Sequence, residues 1–306
     1  MKMNVGIIGC NGFIGKHLSL AISKIDNINL KLFGRSSENK TGLDLPYENI
    51  DFSDKENLKQ KIENLDIIYY LASTTIPATS WDKPIFEIES NLIPFLNLVD
   101  LASKIGVKKV VFTSSAGTIY GSSNDKLKEI DDKHPFSPYG ITKLSMELYL
   151  NYYKVKNDLN YDVFRISNIY GEDQDTSKGL GIINTFLENI INHKDINIYG
   201  KGDIVRNYIY IKDVVDFLLT SLDIKNDTSN IYNLASDDNL SINNLLTVID
   251  SIVDEDYNLT YLHHRNSDNP NIYIDNSKIK NSFPEKKFTP IHKGIKSCYE
   301  YLKKSN

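Results

Sequence analysis

The chain is decided by Asn4-Val5-Gly6-Ile7-Ile8-Gly9-Cys10-Asn11-Gly12-Phe13-Ile14-Gly15. A short apolar run of strand character enters three glycines spaced G-x-x-G-x-x-G, and an amphipathic stretch follows at once. Glycines so placed allow a tight turn, close backbone approach to a pyrophosphate and close strand–helix packing. The start of the following helix offers free N–H groups and a positive dipole end to the anion. Gly9, Asn11, Gly12, Phe13, Ile14 and Gly15 are therefore candidate dinucleotide-binding residues.

Working outward, strand-length apolar runs alternate with amphipathic ones. Asn4–Ile8, Ile28–Phe33, Leu65–Leu71, Val107–Thr113 and Tyr161–Ile169 read as strands, and Phe13–Ile25, Pro84–Ile105 and Tyr139–Lys156 as helices. The alternation predicts an α/β fold with a doubly wound, Rossmann-type parallel sheet buried on both faces. Beyond Gly171 short strands (Ile196–Tyr199, Asn207–Tyr210, Asn230–Leu234) mix with the helices Ile182–Ile191 and Ile242–Val253, and Asn266–Pro270 reads as a loop. The expected organisation is a dinucleotide-binding domain over 1–170, joined by parts of 205–235, and a smaller C-terminal α/β substrate lobe over 171–306.

Bulk properties narrow the function. A length of 306 residues suits one large domain with a smaller lobe, and 41% hydrophobic with 25% charged residues excludes disordered and repeat scaffolds. The formal charge of −5 supplies no general field for nucleic acid. Cys10 and Cys298 have no zinc-type neighbours, so neither a metal site nor a disulfide framework is expected. The first strand is too short for a signal peptide, and no run of about 18 apolar residues follows, so the expectation is a cytoplasmic, soluble protein without membrane contact. The adjacent His263 and His264, His17 and the pair Lys108-Lys109 are read as packing or surface residues, and Trp81 equally as a packing residue or as one that stacks on the substrate.

The second strand ends in Phe33-Gly34-Arg35-Ser36-Ser37, without the acid that usually bonds the ribose 2′-OH of NAD. Arg35 and Ser36 place donors where a 2′-phosphate would lie, which favours NADP(H) over the alternative, NAD(H).

Catalytic chemistry is concentrated in two segments. Val110–Gly121 puts hydroxyls at the end of a central strand, the edge where open α/β sheets bind ligands. Ser137-Pro138-Tyr139-Gly140-Ile141-Thr142-Lys143 then sets Tyr139 and Lys143 one helical turn apart. A phenol is a poor base at neutral pH, but a neighbouring ammonium and an oxidised nicotinamide stabilise its phenolate. Tyr139 can then exchange a proton with a sugar hydroxyl while hydride moves at the same carbon, aided by a serine or threonine hydroxyl.

These segments together resemble the extended short-chain dehydrogenase/reductases of the sugar-nucleotide epimerase/dehydratase family, over nearly the whole chain. The resemblance implies that Asp51-Phe52 contacts adenine and that Leu71-Ala72-Ser73 lies along the cofactor. It likewise implies cofactor roles for Asn91, Ser114, Ile166 and the Tyr139/Lys143 pair. Thr74 and Thr118 are implied to meet the sugar. Asn168, Arg206, Arg265 and Asp268 are implied to meet the nucleotide, its diphosphate included. A nucleoside-diphosphate sugar is the implied substrate, and a C2 homodimer pairing Pro84–Ile105 with Tyr139–Lys156 is the implied assembly.

The departures matter too. The family's usual active-site hydroxyl, four residues before Tyr120, is Ala116 here, so Ser115 and Thr118 both remain candidates. No acid follows, which disfavours elimination chemistry. The leading expectation is a nucleotide-sugar 4-epimerase working through a transient 4-keto sugar. An NADPH-dependent 4-ketoreductase of a nucleotide 4-keto-6-deoxyhexose is the alternative, and a non-catalytic dinucleotide-binding module is a distant third.

Overall fold

The computed structural model describes residues 2–121, 123, 125–178, 181–224, 228–263 and 271–305. Its strands are β1 (Met3–Ile8), β2 (Ile28–Gly34), β3 (Tyr47–Asn49), β4 (Ile67–Tyr70), β5 (Lys109–Ser115), β6 (Lys126–Leu127), β7 (Asn160–Ile166) and β8 (Asn168–Tyr170). They continue with β9 (Ile196–Tyr199), β10 (Val205–Tyr210), β11 (Asn230–Leu234), β12 (Asn239–Ser241), β13 (Leu259–Leu262) and β14 (Tyr273–Ile274).

Seven strands form one Rossmann-type parallel sheet in the order β11-β7-β5-β4-β1-β2-β3. Strands β1, β4 and β5 are buried along most of their length, which is why they read as unbroken apolar runs. Tyr70, Phe95 and Phe112 fill the middle of one face, with Phe95 centred 5.0 Å from Tyr70 and 5.2 Å from Phe112. Strand order reverses between β1 and β4, so the crevice beyond their carboxyl ends is the switch point where such sheets bind ligands.

The chain divides into two compact units. The first comprises Met1–Ile119, Lys133–Arg165 and Val215–Tyr232, and the second Tyr120–Asp132, Ile166–Val214 and Asn233–Asn306. Within the second unit β12-β10-β8 form a small mixed sheet, while β13 pairs with β9 and β14 with β6.

Two sequence expectations need correction. Tyr161–Ile169 is not one strand: β7 stops at Ile166, and Asn168 begins β8 in another sheet. The Ser167 N–H marks the break, bonding the Leu234 carbonyl at 3.1 Å. Pro84–Ile105 is not a uniform α-helix either, since Ile88–Leu92 forms a π-helical turn. Pro94 lacks the N–H that an α-helix would direct at the Ser90 carbonyl, so the ladder widens just before it.

Candidate functional site

The glycine loop is shaped for close approach. Gly9 has φ +90°, and a Cβ there would stand 2.8 Å from the Ala72 nitrogen, so β1 and β4 meet tightly where they end. A Cβ on Gly15 would overlap the Gly9 carbonyl and the Cys10 backbone. The helix Phe13–Ile22 begins at Gly12 with no side-chain cap and no acid in its first turn, leaving its N–H groups for an anion. These features fit a dinucleotide pyrophosphate. Phe13 meets His17 edge-on at 5.5 Å.

Asn11 does something the sequence did not suggest. Its amide nitrogen donates to Ser36 Oγ at 3.0 Å and to the Glu38 carbonyl at 2.9 Å, and lies 3.3 Å from Tyr47 Oη. Its Oδ1 accepts from the Lys40 N–H at 2.8 Å. The side chain thus pins the 36–40 loop onto the glycine loop. Arg35 is exposed at the end of β2.

Of the other expected cofactor residues, Asp51-Phe52 follow β3, Leu71-Ala72-Ser73 follow β4, Asn91 lies in the π-helical turn, and Ser114 is near the end of β5. Asp51 is exposed, its carboxyl held below the ordinary range by Ser53, whose N–H and hydroxyl both donate to it. Phe52 packs edge-on to Tyr70 at 6.1 Å. Leu71 closes β4, its N–H bonding the Ile8 carbonyl at 2.9 Å. Ser73 bonds the Thr75 carbonyl at 2.9 Å. Asn91 is buried and committed inside the protein: Oδ1 accepts from the Thr74 N–H at 2.8 Å, and Nδ2 reaches Thr75 Oγ1 and Glu87 Oε1, both at 3.1 Å. Ser114 donates to Glu147 Oε1 at 2.5 Å, and Glu147 is paired with Arg165 at 2.7 Å in a fully buried fork. Ile166 is buried at the end of β7.

Tyr139 and Lys143 sit in the first turns of the helix Pro138–Asn157, capped by Ser137, whose hydroxyl accepts from the Gly140 N–H at 3.1 Å. A Cβ on Gly140 would collide with the Thr118 carbonyl, so this glycine lets the helix start close to the segment after β5. Lys143 is buried; Nζ donates to the Thr113 carbonyl at 3.0 Å and lies 4.8 Å from the Phe112 ring centre and 5.5 Å from that of Tyr139. Burial pulls its ammonium down to about 8, against the opposing pull of Glu87 and Glu147. Burial, with the Glu87 charge second, pushes the Tyr139 phenol well up.

The two hydroxyl candidates differ. Ser115 is half-buried at the end of β5. Thr118 is buried, and its Oγ1 has no partner among the described residues. Such a group costs stability unless something else bonds it. Thr74 is exposed, with Oγ1 2.8 Å from Ser90 Oγ.

In the second unit Asn168 on β8 faces Tyr208 on β10, and Arg206 lies two residues before Tyr208 on the same strand face. Asn168 donates to the Asn207 carbonyl at 2.8 Å, and Arg206 to the Val205 carbonyl at 2.9 Å. The buried Tyr208 hydroxyl in this row has no partner among the described residues. Arg265 and Asp268 lie outside the described residues, as do His264 and the 266–270 loop. Among the described residues no group of three His, Cys, Asp or Glu side chains is placed to hold a metal, and no helix is long and apolar enough to cross a membrane.

Sequence reasoning missed Glu87 and Tyr208. Glu87 is 1% exposed, bonded by Thr75 Oγ1 and Asn91 Nδ2, and charges the surroundings of both Tyr139 and Lys143. Its only sequence signal was its position one turn before Asn91.

A Rossmann sheet with this loop and a Tyr/Lys pair on one helix defines a nucleotide-dependent dehydrogenase-type site. Residues 5–235 match the NAD dependent epimerase/dehydratase family, and the chain belongs to that family. It is 28% identical over 307 residues to a putative UDP-glucose 4-epimerase of Methanocaldococcus jannaschii, covering 98% of each. The crystal structure of UDP-glucose 4-epimerase with UDP-glucose from Thermotoga maritima is similar with a TM-score of 0.92 and 27% identity, over 99% of both chains. UDP-N-acetylglucosamine 4-epimerase from Methanobrevibacter ruminantium, in complex with UDP-N-acetylmuramic acid, is similar with a TM-score of 0.89 and 26% identity, over 100% of both.

Proposed function

We propose that the chain is a UDP-hexose 4-epimerase. The observation that carries the reading is the Tyr139/Lys143 pair beside a buried, unpartnered Thr118 hydroxyl, in a chain similar along its length to proteins described as UDP-sugar 4-epimerases. Bound nicotinamide dinucleotide supplies a reversible hydride acceptor. Tyr139 Oη takes the proton of the sugar 4-hydroxyl and returns it to the same C4 oxygen after the transient 4-keto sugar has turned its other face to the dinucleotide and C4 has regained hydride on that face. Lys143 holds positive charge beside the phenol, and Thr118 Oγ1 donates to the C4 oxygen as charge develops there. Thr118 is thereby favoured over Ser115 as the active-site hydroxyl. Asn168 and Arg206, with Arg265 and Asp268, serve the nucleotide and its diphosphate, and the partnerless Tyr208 hydroxyl is a further donor for that ligand. Thr74 serves the sugar.

Two further points belong to this reading. The chain forms a C2 homodimer through exposed apolar side chains, among them Ile85 and Phe86 before the π-helical turn and Leu148 and Val155 on the Pro138–Asn157 helix. The NADP(H) preference expected from Gly34-Arg35 rests on the single exposed guanidinium of Arg35, and the ketoreductase alternative that depends on it is less well supported.

The test is to incubate the purified protein with UDP-glucose, UDP-N-acetylglucosamine and UDP-glucuronate separately and follow the sugar protons by NMR. The expected result is conversion of one of them to its C4 epimer, approached from both sides, without net consumption of added cofactor. Stoichiometric oxidation of NADPH with a 4-keto-6-deoxy sugar nucleotide, and no epimer from any UDP sugar, would identify the ketoreductase instead.

A further inference from the structure

The acid that normally reads the adenosine ribose is missing at the end of β2, and the structure shows what fills its place. Parallel pairing of β2 with β3 sets Tyr47 beside Leu32 and Asn49 beside Gly34. The Tyr47 phenol then reaches along the strand end, so that a Cβ on Gly34 would stand 2.6 Å from Tyr47 Oη. Glycine is required at 34 because a side chain from the neighbouring strand already occupies its space.

Every hydrogen in this cluster is directed inward. Tyr47 Oη donates to the Ser36 carbonyl at 2.6 Å. Ser36 Oγ donates to the Glu38 carbonyl at 2.8 Å and lies 3.2 Å from Tyr47 Oη. The two amide hydrogens of Asn11 go to Ser36 Oγ and the Glu38 carbonyl, with Tyr47 Oη a weaker third acceptor. What these three side chains leave to a ligand is therefore oxygen lone pairs. A ribose 2′-hydroxyl can donate to them, whereas a 2′-phosphate dianion, which only accepts, cannot.

We infer that Tyr47, held by Ser36 and Asn11, replaces the missing carboxylate as a neutral acceptor for the ribose 2′-hydroxyl and makes the chain select NAD(H) over NADP(H). The inference rests on the dinucleotide-binding part of the proposed function and not on epimerisation, so a failure to epimerise any sugar leaves it standing. Arg35 is the opposing feature, an exposed cation at the same strand end.

Calorimetric titration of nucleotide-free protein with NAD+ and NADP+ reads the inference directly. The wild type is expected to bind NAD+ about tenfold or more tightly than NADP+. Tyr47→Phe is expected to weaken NAD+ about three- to tenfold, the range for one hydrogen bond, and to leave NADP+ within about twofold. Gly34→Asp alone should weaken both dinucleotides, because its Cβ meets Tyr47 Oη. Gly34→Asp with Tyr47→Ala should recover NAD+ binding while excluding NADP+, and this pair tests the idea even if Tyr47→Phe loosens the loop. Tighter binding of NADP+ by the wild type, abolished by Arg35→Ala, would overturn the inference. So would equal loss of both dinucleotides in Tyr47→Phe, or NAD+ selectivity from Gly34→Asp without loss of affinity.

Discussion

Replacing Lys143 by Met is expected to inactivate the protein and to make it more stable. The ammonium is 5% exposed, and burial lowers its pKa from 10.5 to about 8. That shift corresponds to about 3 kcal/mol of unfavourable free energy in the charged form. It is a net figure in which the attraction of Glu87 and Glu147 is already counted. Met fills the same volume without charge and forfeits the bond to the Thr113 carbonyl, which returns about 1 kcal/mol. The balance is a gain of about 2 kcal/mol at neutral pH, or roughly 3–6 °C in Tm. The folded pKa lies below the unfolded one, so from pH 8 to 10.5 the unfolded chain holds a proton that the folded chain lacks. The wild type therefore becomes more stable as pH rises through that window, and its full penalty is present only below it. Scanning calorimetry of wild type and variant at about pH 7 and about pH 10 measures this: the gap should be large at the first and nearly closed at the second. A variant less stable than wild type at pH 7, or a gap independent of pH, would refute the reasoning.

Three other outcomes follow from the same geometry. Glu87→Gln gives up one of the two hydrogen bonds that the carboxylate accepts and removes a charge that raises Tyr139 and Lys143 alike, so both limbs of the kcat/KM pH profile should move to lower pH; reduced activity with an unmoved profile would make Glu87 a packing residue only. Thr118→Val should lose kcat by about a hundredfold or more with NAD+ affinity unchanged, while Ser115→Ala stays within about fivefold; the reverse order would transfer the active-site hydroxyl to Ser115. Leu148→Glu with Val155→Glu should convert a dimer to a monomer in sedimentation equilibrium, and a wild-type mass of one chain at micromolar concentration would refute the assembly.

Much of the large sheet was legible because its information is local. Strand β1, its glycines and the helix behind them are consecutive, and Tyr139 and Lys143 share one turn. What escaped depends on pairing between distant segments. Tyr47 lies 13 residues beyond Gly34 in a polar stretch, and only the β2–β3 register places its hydroxyl at the strand end. The break at Ser167 was hidden because Ile166 and Ile169 continue an apolar run, although the chain changes sheets between them. Glu87 stands among Asp82, Lys83 and Glu89 with nothing to single it out, and its burial becomes visible only with Thr75 and Asn91 closed around it. Ser36 read as a donor for phosphate, and only the fold shows its proton directed at Glu38.

The wide turn at Ile88–Leu92 has a consequence for how this helix tolerates change. One extra residue shifts the winding before it by about 100° and 1.5 Å relative to the winding after it. The helix therefore runs in two phases, one setting Glu87 and Asn91 behind Thr75, the other turning Phe95, Leu98, Val99 and Ala102 into the core. Point changes within the turn leave both phases in place. Deleting a single residue there would turn the wide turn into an ordinary α-helical one, seven residues at about 100° covering the rotation that eight now cover, and leave Glu87 and the core residues facing as they do. A gap of one in this segment is thus absorbed by the winding of the helix itself, whereas a gap of two would rotate one half against the other by about 100°.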